Sequence, residues 1–276
     1  MCPPATLASL QCPEISRRSL LKFGLGAAAA ALALPAAAAQ AATVRRTTFS
    51  NVADLTHVLG TQFPSFSGQP AFRIEQAVSF EEDGYYGSNI SYWEHIGTHM
   101  DAPVHFNRDG LFVDQLPIES LIAPAAVINI GERAARDPDT VVTPDDIRAW
   151  ERRHGRLPDG AVVLMASGWG ARADSSERFR NADAGGTLHF PGFGKPAIDF
   201  LLTERRITGI GVDTISLDHG PSADFAVHFT LLGTNRWGLE GVANLEAIPP
   251  SGTTLIVGAP KVAAGSGGPS RVMAVW

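Results

Sequence analysis

Short apolar runs bounded by glycine or proline recur along the chain. Runs of this length and composition are typical of strands that are buried on both faces of a sheet. The predicted strands are Ala125–Ile130, Ala161–Ala166, Ile207–Val212, Thr253–Val257 and Val272–Trp276.

Helical patterns lie between the predicted strands. Residues 143–146 supply a cap, a first-turn proline and two first-turn acids, which predict a helix over Ile147–Arg153. An apolar stripe predicts a second helix over Pro196–Arg206, and Ser222 is expected to cap a third helix that contains His228. Strands that alternate with helices predict a single mixed α/β domain. Segment 60–95 is richer in glycine, serine and aromatic residues, which favours hairpins and loops.

The first 41 residues have the pattern of an export signal. Arg17 and Arg18 precede a Leu-Leu-Lys stretch, an apolar run extends from Phe23 to Ala39, and Ala39-Gln40-Ala41 is typical of a cleavage site. The paired arginines favour the twin-arginine route. We therefore expect a signal over residues 1–41, which contacts the twin-arginine export machinery, and a mature domain over residues 42–276. The mature protein would be periplasmic or secreted, with no stable membrane anchor. A buried core helix or an uncleaved anchor is the alternative interpretation of the run.

Cleavage would change the composition in two ways. The formal net charge of −6 would become −8, which disfavours nucleic acid and anionic lipid as partners. Both cysteines, Cys2 and Cys12, would be removed. The mature domain would then have no disulfide, no thiolate metal ligand and no cysteine nucleophile.

The most informative stretch runs from His95 to Phe106 and reads H-I-G-T-H-M-D-A-P-V-H-F. It contains three histidines and one aspartate, and these residue types are the usual ligands of Zn²⁺ and also suit Mn²⁺. In a straight strand His95 and Asp101 would lie about 20 Å apart, too far for one ion. We therefore expect an irregular turn in which Gly97 adopts an unusual backbone angle. Histidines on a surface loop are the alternative.

This run resembles the H-x-G-T-H-x-D-x-P-x-H signature of the cyclase family, which includes bacterial kynurenine formamidases and isatin hydrolases. Shorter similar segments follow in order over roughly residues 50–276. They are Asp54–His57 with Phe63–Phe66, Asp114–Pro117, Ser167–Trp169, Phe190–Gly192, Gly211–Asp218, and His228–Leu232 with Glu240. The resemblance implies a single mixed-sheet domain of the swivelling β/β/α type. It also implies one or two divalent ions per subunit, Zn or Mn, and a homodimer or homotetramer.

The resemblance further implies roles for individual residues. The matched metal ligands are His95, His99 and Asp101, with His228 and Glu240 for a second ion that Asp101 bridges. His105 matches the general acid/base. From the residues alone, His228 could also be a core histidine, and Glu240 could be a plain acid at the start of a helix.

A hydrolytic mechanism fits these residue types. A bound divalent ion activates water and polarises a carbonyl. Because the signature contains no lysine or arginine, that ion must also stabilise the oxyanion. His105 titrates in the range that suits protonation of a departing amine or alcohol, whereas a carboxylate beside a dication stays ionised.

We therefore predict a metal-dependent amidohydrolase that cleaves the C–N bond of a small cyclic amide, such as an isatin-like lactam, or of an N-formyl aryl amine. The same machinery could open a lactone or cyclic ester. An exported metal-binding protein without turnover is the alternative of a different class.

Aromatic residues cluster before the signature, and a few of them are expected to form a flat pocket for a ring-bearing substrate. The predicted substrate-binding residues are Phe63, Phe66, Trp93 and Trp169. Asp213 and Asp218 follow an apolar strand, where they either orient site residues or cap the turn. The sequence assigns no role to His57, His189 or His219. The glycine-rich stretch 265–268 is interpreted as a loop, since no helix with a lysine follows it.

Overall fold

The computed structural model describes residues 48–276, so the predicted export signal lies outside the described residues. The strands are β1 (Val52–Asp54), β2 (Phe72–Val78), β3 (Gly87–Tyr92), β4 (His99–Asp101), β5 (Ile122–Asn129), β6 (Val141–Val142), β7 (Ala161–Ala166), β8 (Gly192–Phe193), β9 (Ile207–Val212), β10 (Trp237–Glu240), β11 (Thr253–Gly258), β12 (Gly267–Pro269) and β13 (Arg271–Val275). The helices are α1 (Phe80–Asp83), α2 (Gly131–Ala134), α3 (Pro144–His154), α4 (Ser176–Arg180), α5 (Lys195–Glu204) and α6 (Ala226–Leu232). Turns of 3-10 helix cover Pro103–His105, Val113–Gln115, Ile118–Leu121, Trp169–Arg172 and Leu245–Ala247.

Nine of these strands form one mixed sheet in the order β1-β13-β11-β5-β7-β9-β10-β4-β12. The central strands β5, β7, β9 and β10 run parallel to one another. The strands on either side of this group pair antiparallel. The mixed sheet and its helices confirm the predicted mixed α/β class.

Alternate side chains of the central strands enter two different hydrophobic cores. Ile128 of β5 and Met165 of β7 pack in a core that also contains residues of α3, α5 and α6. Val127 and Leu164, one position earlier, pack in a second core that is built mainly from other strands. Successive side chains of a strand point to opposite faces, so both faces of the sheet are buried. This double burial explains why the strands are continuous apolar runs in the sequence.

Two of the three predicted helices form close to their expected positions. Thr143 caps α3, where its hydroxyl accepts a hydrogen bond from the backbone N–H of Asp146. Helix α5 covers Lys195–Glu204 and buries Ile198 and Leu201.

The predicted cap of the third helix is wrong. Helix α6 begins at Ala226, four residues after Ser222. The backbone N–H groups of Val227 and His228 donate instead to the carboxylate of Asp218, at 2.9 and 3.1 Å. The N-cap position itself is Phe225, and the Ser222 hydroxyl donates to the same carboxylate, so Asp218 accepts the N–H groups that the sequence pattern assigned to the serine.

Strands β2 and β3 form a separate antiparallel hairpin, as the composition of segment 60–95 predicted. Most of its side chains are exposed, among them the cross-strand neighbours Ile74 and Ile90. Within residues 48–276, no helix has the length and apolar character needed to cross a lipid bilayer.

Candidate metal centre and active site

Strand β4 carries the centre of the site. His99 and Asp101 are two residues apart and share one face, while Met100 between them is fully buried in the second core. The antiparallel register with β10 places Glu240 opposite His99. Asp101 lies between two glycines, Gly238 on β10 and Gly267 on β12, so its strand neighbours carry no side chain.

A turn before β4 brings His95 back toward Asp101. Gly97 has a φ of +74°, a left-handed conformation that glycine adopts without a steric penalty. As a result, His95 Nδ1 lies 2.7 Å from Asp101 Oδ1. The irregular turn expected from the spacing is therefore present, and the three residues are close enough to share one ion.

Two residues from distant parts of the chain complete the cluster. His99 Nε2 lies 3.3 Å from Asp101 Oδ1 and 3.3 Å from Glu240 Oε2. His228 Nε2 lies 3.1 Å from Glu240 Oε1 and 3.4 Å from Asp101 Oδ2. The two oxygens of each carboxylate therefore face different histidines, an arrangement that suits bridging carboxylates.

The electrostatics of this cluster fit a divalent cation. Burial disfavours charge on His99, but the adjacent carboxylates of Asp101 and Glu240 outweigh it and raise the pKa of His99 to about 10. Burial likewise raises the pKa of Asp101, yet its close contacts with His228, His95 and His99 hold that pKa well below the usual value. His99 Nε2 and Asp101 Oδ2 are buried polar atoms without a hydrogen-bond partner. Buried polar atoms are rarely left unpaired, and a bound cation would satisfy both.

His105 lies beside the cluster on the 3-10 turn that starts at Pro103. Its ring stacks on the His95 ring at a centroid distance of 3.7 Å and packs against the edge of Phe106. Burial, together with His95 and His228, outweighs the opposing effect of Asp101 and Glu240 and lowers the pKa of His105 to about 4, below the near-neutral range expected from the sequence. The imidazole is therefore neutral at pH 7 and able to accept a proton.

A cavity of about 660 Å³ opens over these groups. His95, His105, His228 and Glu240 line it together with aromatic and aliphatic side chains. The apolar part of the wall includes Phe66, Trp93, Phe106, Ile215 and Phe225. A ring-bearing ligand of moderate size fits this combination of an apolar wall and a few polar groups.

The model of the family described as putative cyclase matches residues 53–219. The chain belongs to this family. The recognition made from the signature is therefore confirmed, and the geometry above describes a cyclase-family site.

Individual relatives agree with the family match. An isatin hydrolase of Roseibium aggregatum is 36% identical over 242 residues, which cover 81% of this chain and 91% of that protein. A kynurenine formamidase of Salinibacter ruber is 31% identical over 182 residues, or 65% of this chain and 74% of that protein. The crystal structure of an isatin hydrolase bound to the product analogue thioisatinate is similar at a TM-score of 0.77 and 34% identity, and covers 82% of this chain and 92% of that chain.

Within this cyclase fold, the predicted substrate-binding residues divide into two pairs. Phe66 and Trp93 line the cavity over the metal centre. Trp169 is instead 1% exposed, its indole N–H donates to the carbonyl of Phe179, and Phe63 packs against the same cluster. Trp169 is thus a core residue and Phe63 a partly buried neighbour, and neither of these two predicted residues lines the cavity. Large aromatic side chains serve both purposes, so their position in the sequence does not separate the two.

The residues with open roles also have defined positions. Asp218 orients His228, because His228 Nδ1 lies 2.6 Å from Asp218 Oδ2. Asp213 accepts hydrogen bonds from the loop after β7, and burial raises its pKa to about 6. The backbone N–H of His57 donates to Thr98, and His189 pairs with Asp139 at the surface.

Ser266 and Glu94 are contacts of the centre that the sequence did not indicate. Ser266 Oγ lies 2.9 Å from His95 Nε2 and 2.6 Å from Glu94 Oε2. Ser266 lies in the stretch 265–268 that was interpreted as a plain loop. Its only sequence signal is the glycine on each side, which allows close approach to neighbouring backbone.

Proposed function

We propose that this protein is a metal-dependent amidohydrolase that cleaves the C–N bond of a small cyclic amide, with an isatin-like lactam as the favoured substrate. An N-formyl aryl amine is the second substrate of the same reaction class. The observation that carries the proposal is the convergence of three histidines and two buried carboxylates, beside a neutral His105, under an aromatic-lined cavity. The isatin hydrolase and kynurenine formamidase relatives support an amidohydrolase that acts on C–N bonds other than peptide bonds.

The ligand set proposed for the cation is His95, His99, Asp101, His228 and Glu240. Nitrogen and carboxylate donors suit Zn²⁺ and Mn²⁺, and these five residues would hold one ion or two. When bound, a divalent cation supplies Lewis acidity, which lowers the pKa of water and polarises a substrate carbonyl.

The chain's own residues supply the proton transfers and the binding surface. His105 accepts the proton of the attacking water, because its low pKa leaves the imidazole neutral at pH 7. A C–O bond forms as the C–N bond breaks, and the same imidazole then returns the proton to the departing nitrogen. Phe66, Trp93 and Phe106 line the cavity and hold the aromatic part of the substrate.

Replacement of His105 tests this proposal. The purified enzyme loaded with Mn²⁺ or Zn²⁺ is assayed on isatin, on an aryl formamide and on a lactone. We expect lactam or formamide hydrolysis that falls about 10²-fold or more in His105→Ala, while metal content is unchanged. His154→Ala, at an exposed histidine at the end of α3, is the matched control and should retain full activity.

Other outcomes of this assay would contradict the proposal. Hydrolysis of the lactone alone would favour the cyclic ester alternative. Metal binding without turnover on any of the three substrates would favour the exported metal-binding protein.

We also propose that a second copy of the chain covers the exposed hairpin of β2 and β3. Ile74, Ile90 and Trp93 are 48%, 55% and 65% exposed. An isolated two-stranded hairpin is marginally stable in water, so these apolar side chains favour a partner surface. Arg73 and Ser91 of the hairpin line the cavity, so a second copy there would extend the wall of the cavity.

Light scattering should give a dimer or tetramer for the natural sequence and a smaller species for the double variant Ile74→Glu with Ile90→Glu. Equal masses of the two proteins would refute the interface.

Export by the twin-arginine route completes the proposal. The support is the sequence pattern of residues 1–41, which lie outside the described part of the chain. In cell fractionation we expect a shortened, periplasmic or secreted protein, and retention of the full-length chain in the cytoplasm for Arg17→Lys with Arg18→Lys. Equal fractionation of both forms would contradict twin-arginine export.

A further inference from the structure

Ser266 directly precedes strand β12, which lies beside the proposed metal centre. Strand β12 pairs with β4, and the backbone N–H of Ala102 donates to the carbonyl of Ser266 at 2.9 Å. A Cβ on Gly267 would lie 2.1 Å from the carbonyl oxygen of Met100 and 3.0 Å from His95 Cε1. The strands approach closely at this point only because residue 267 is glycine, and this approach places the Ser266 hydroxyl beside the His95 ring.

Glu94 holds that hydroxyl in one orientation. The backbone N–H of Ser266 donates to the Glu94 carboxylate at 3.1 Å, and the Ser266 hydroxyl donates to Glu94 Oε2 at 2.6 Å. An ionised carboxylate accepts hydrogen bonds and donates none, and a serine hydroxyl has a single proton. Since that proton faces Glu94, Ser266 Oγ can only accept a hydrogen bond from His95 Nε2, which is 2.9 Å away.

This chain of hydrogen bonds determines which nitrogen of His95 faces the centre. With the proton on Nε2, the lone pair on Nδ1 points at Asp101 Oδ1, 2.7 Å away. Two acceptor atoms that face each other at this distance repel unless a metal ion or a proton lies beside them. The other two histidines are held in the same way through their outer nitrogens: His99 Nδ1 lies 3.0 Å from the carbonyl of Gly97, and His228 Nδ1 lies 2.6 Å from Asp218.

We infer that Ser266 and Glu94 are positioning residues that fix the His95 ring so that Nδ1 binds the metal. This inference rests on the metal site of the proposed function. It assigns a role in metal affinity to Ser266, which lies between two glycines, and to Glu94, which directly precedes the signature. Hydrogen bonds to the outer nitrogen of a metal-binding histidine typically change metal affinity by about 10- to 100-fold.

Calorimetric titration with Mn²⁺ alone and with Zn²⁺ alone tests the inference. For Ser266→Ala we expect a Kd that is about 10- to 100-fold higher than in the unsubstituted protein. The matched control is Ser270→Ala, since Ser270 is buried nearby but its hydroxyl donates to the carbonyl of Gly268. Its Kd should stay within about twofold. Glu94→Gln keeps an acceptor oxygen but removes the charge, so an intermediate rise is expected, and this variant carries the test if Ser266→Ala does not fold.

A spectroscopic readout separates positioning from general damage to the fold. Long-range ¹H–¹⁵N spectra of the Zn²⁺-loaded protein should show the proton of His95 on Nε2, with the assignment made by loss of the signal in His95→Gln. Ser266→Ala should lose this preference, and Ser270→Ala should keep it. An unchanged Kd and tautomer in Ser266→Ala would overturn the inference and leave the proposed function intact. Absence of any metal binding by the unsubstituted protein would instead refute both.

Discussion

The acid that caps helix α6 also holds His228, a histidine of the proposed metal centre. Asp218 accepts hydrogen bonds from the backbone N–H groups of Val227 and His228, and its Oδ2 lies 2.6 Å from His228 Nδ1. Burial raises the pKa of Asp218, but the contact with His228 and the backbone hydrogen bonds hold it below its usual value. One carboxylate thus sets both the start of the helix and the direction in which His228 Nε2 points.

Replacement of Asp218 should weaken metal binding. In Asp218→Asn the amide NH₂ group would face N–H donors, so the ring of His228 loses its fixed orientation. We expect the Kd for Mn²⁺ to rise about 10- to 100-fold by calorimetric titration. Asp199→Asn is the control, because Asp199 pairs with Lys195 on the exposed face of α5. Equal affinities of the two variants would contradict this role.

At the scale of single elements, the capping box of α3 links stability to pH. Burial raises the pKa of Asp146, but hydrogen bonds from Arg133 and Thr143 outweigh this and lower it below its usual value. A carboxylate whose pKa is lower in the folded state than in the unfolded chain stabilises the fold at every pH above its unfolded pKa, which is about 4 for aspartate. This stabilisation is lost as the pH falls through the pKa of the folded state.

Asp146→Asn should therefore destabilise the protein in a pH-dependent manner. At pH 7 we expect the free energy of unfolding to fall by about 1 kcal/mol, the usual size of the effect of losing a helix cap. The loss should not be larger, because the ion pair between Asp146 and Arg133 is partly exposed to solvent. The difference between the two proteins should shrink as the pH falls below about 4. Urea unfolding at a series of pH values measures it, and a difference independent of pH would rule out the carboxylate as its source.

The contact of β12 with β4 provides a second test at this scale. In Gly267→Ala the new methyl would meet the backbone of Met100 at 2.1 Å, so the strands must separate. Overpacking of this kind costs about 1–3 kcal/mol. Gly60→Ala is the matched control, since a Cβ there has no heavy atom within 4 Å. Thermal unfolding should show a clear loss for Gly267→Ala alone, and equal stabilities would mean that the sheet absorbs the methyl.

At the scale of the whole molecule, the centre joins distant parts of the chain. Asp101 is 0% and Glu240 is 6% exposed, and they come from neighbouring strands of the sheet, while His228 comes from α6. A cation that binds these groups in the folded protein, and not in the unfolded chain, shifts the folding equilibrium toward the folded state.

Metal removal should therefore lower the melting temperature. At a free Mn²⁺ concentration of 100 times the Kd, the added stability is about 2.7 kcal/mol. For a domain of this size that corresponds to roughly 5–10 °C. Differential scanning calorimetry with and without a chelator measures the shift, and Asp101→Asn should show little of it. An identical melting temperature under both conditions would contradict binding at this centre.

Local patterns in the sequence sufficed for strands β5, β7, β9, β11 and β13, for helices α3 and α5, and for the clustering of candidate metal ligands in residues 95–105, but not for the central strand β10. Each of these depends on neighbours close in the chain: apolar runs, a cap with its first-turn acids, or ligands within eleven positions. The turn at Gly97 was also predictable, because the ligands could not meet around one ion without it.

No local pattern placed the distant groups at the site: the family resemblance implied His228 and Glu240, and the tertiary structure decided how they and Ser266 meet the signature. Glu240 meets His99 through the register of β10 on β4, and Ser266 meets His95 across 171 positions through β12. Trp169 belongs to the core and Phe63 packs against it for the same reason, since the packing of a whole cluster determines which aromatic side chains reach the cavity. Strand pairing and core packing depend on long-range contacts, and a one-residue change of register would place every side chain of a strand on the other face.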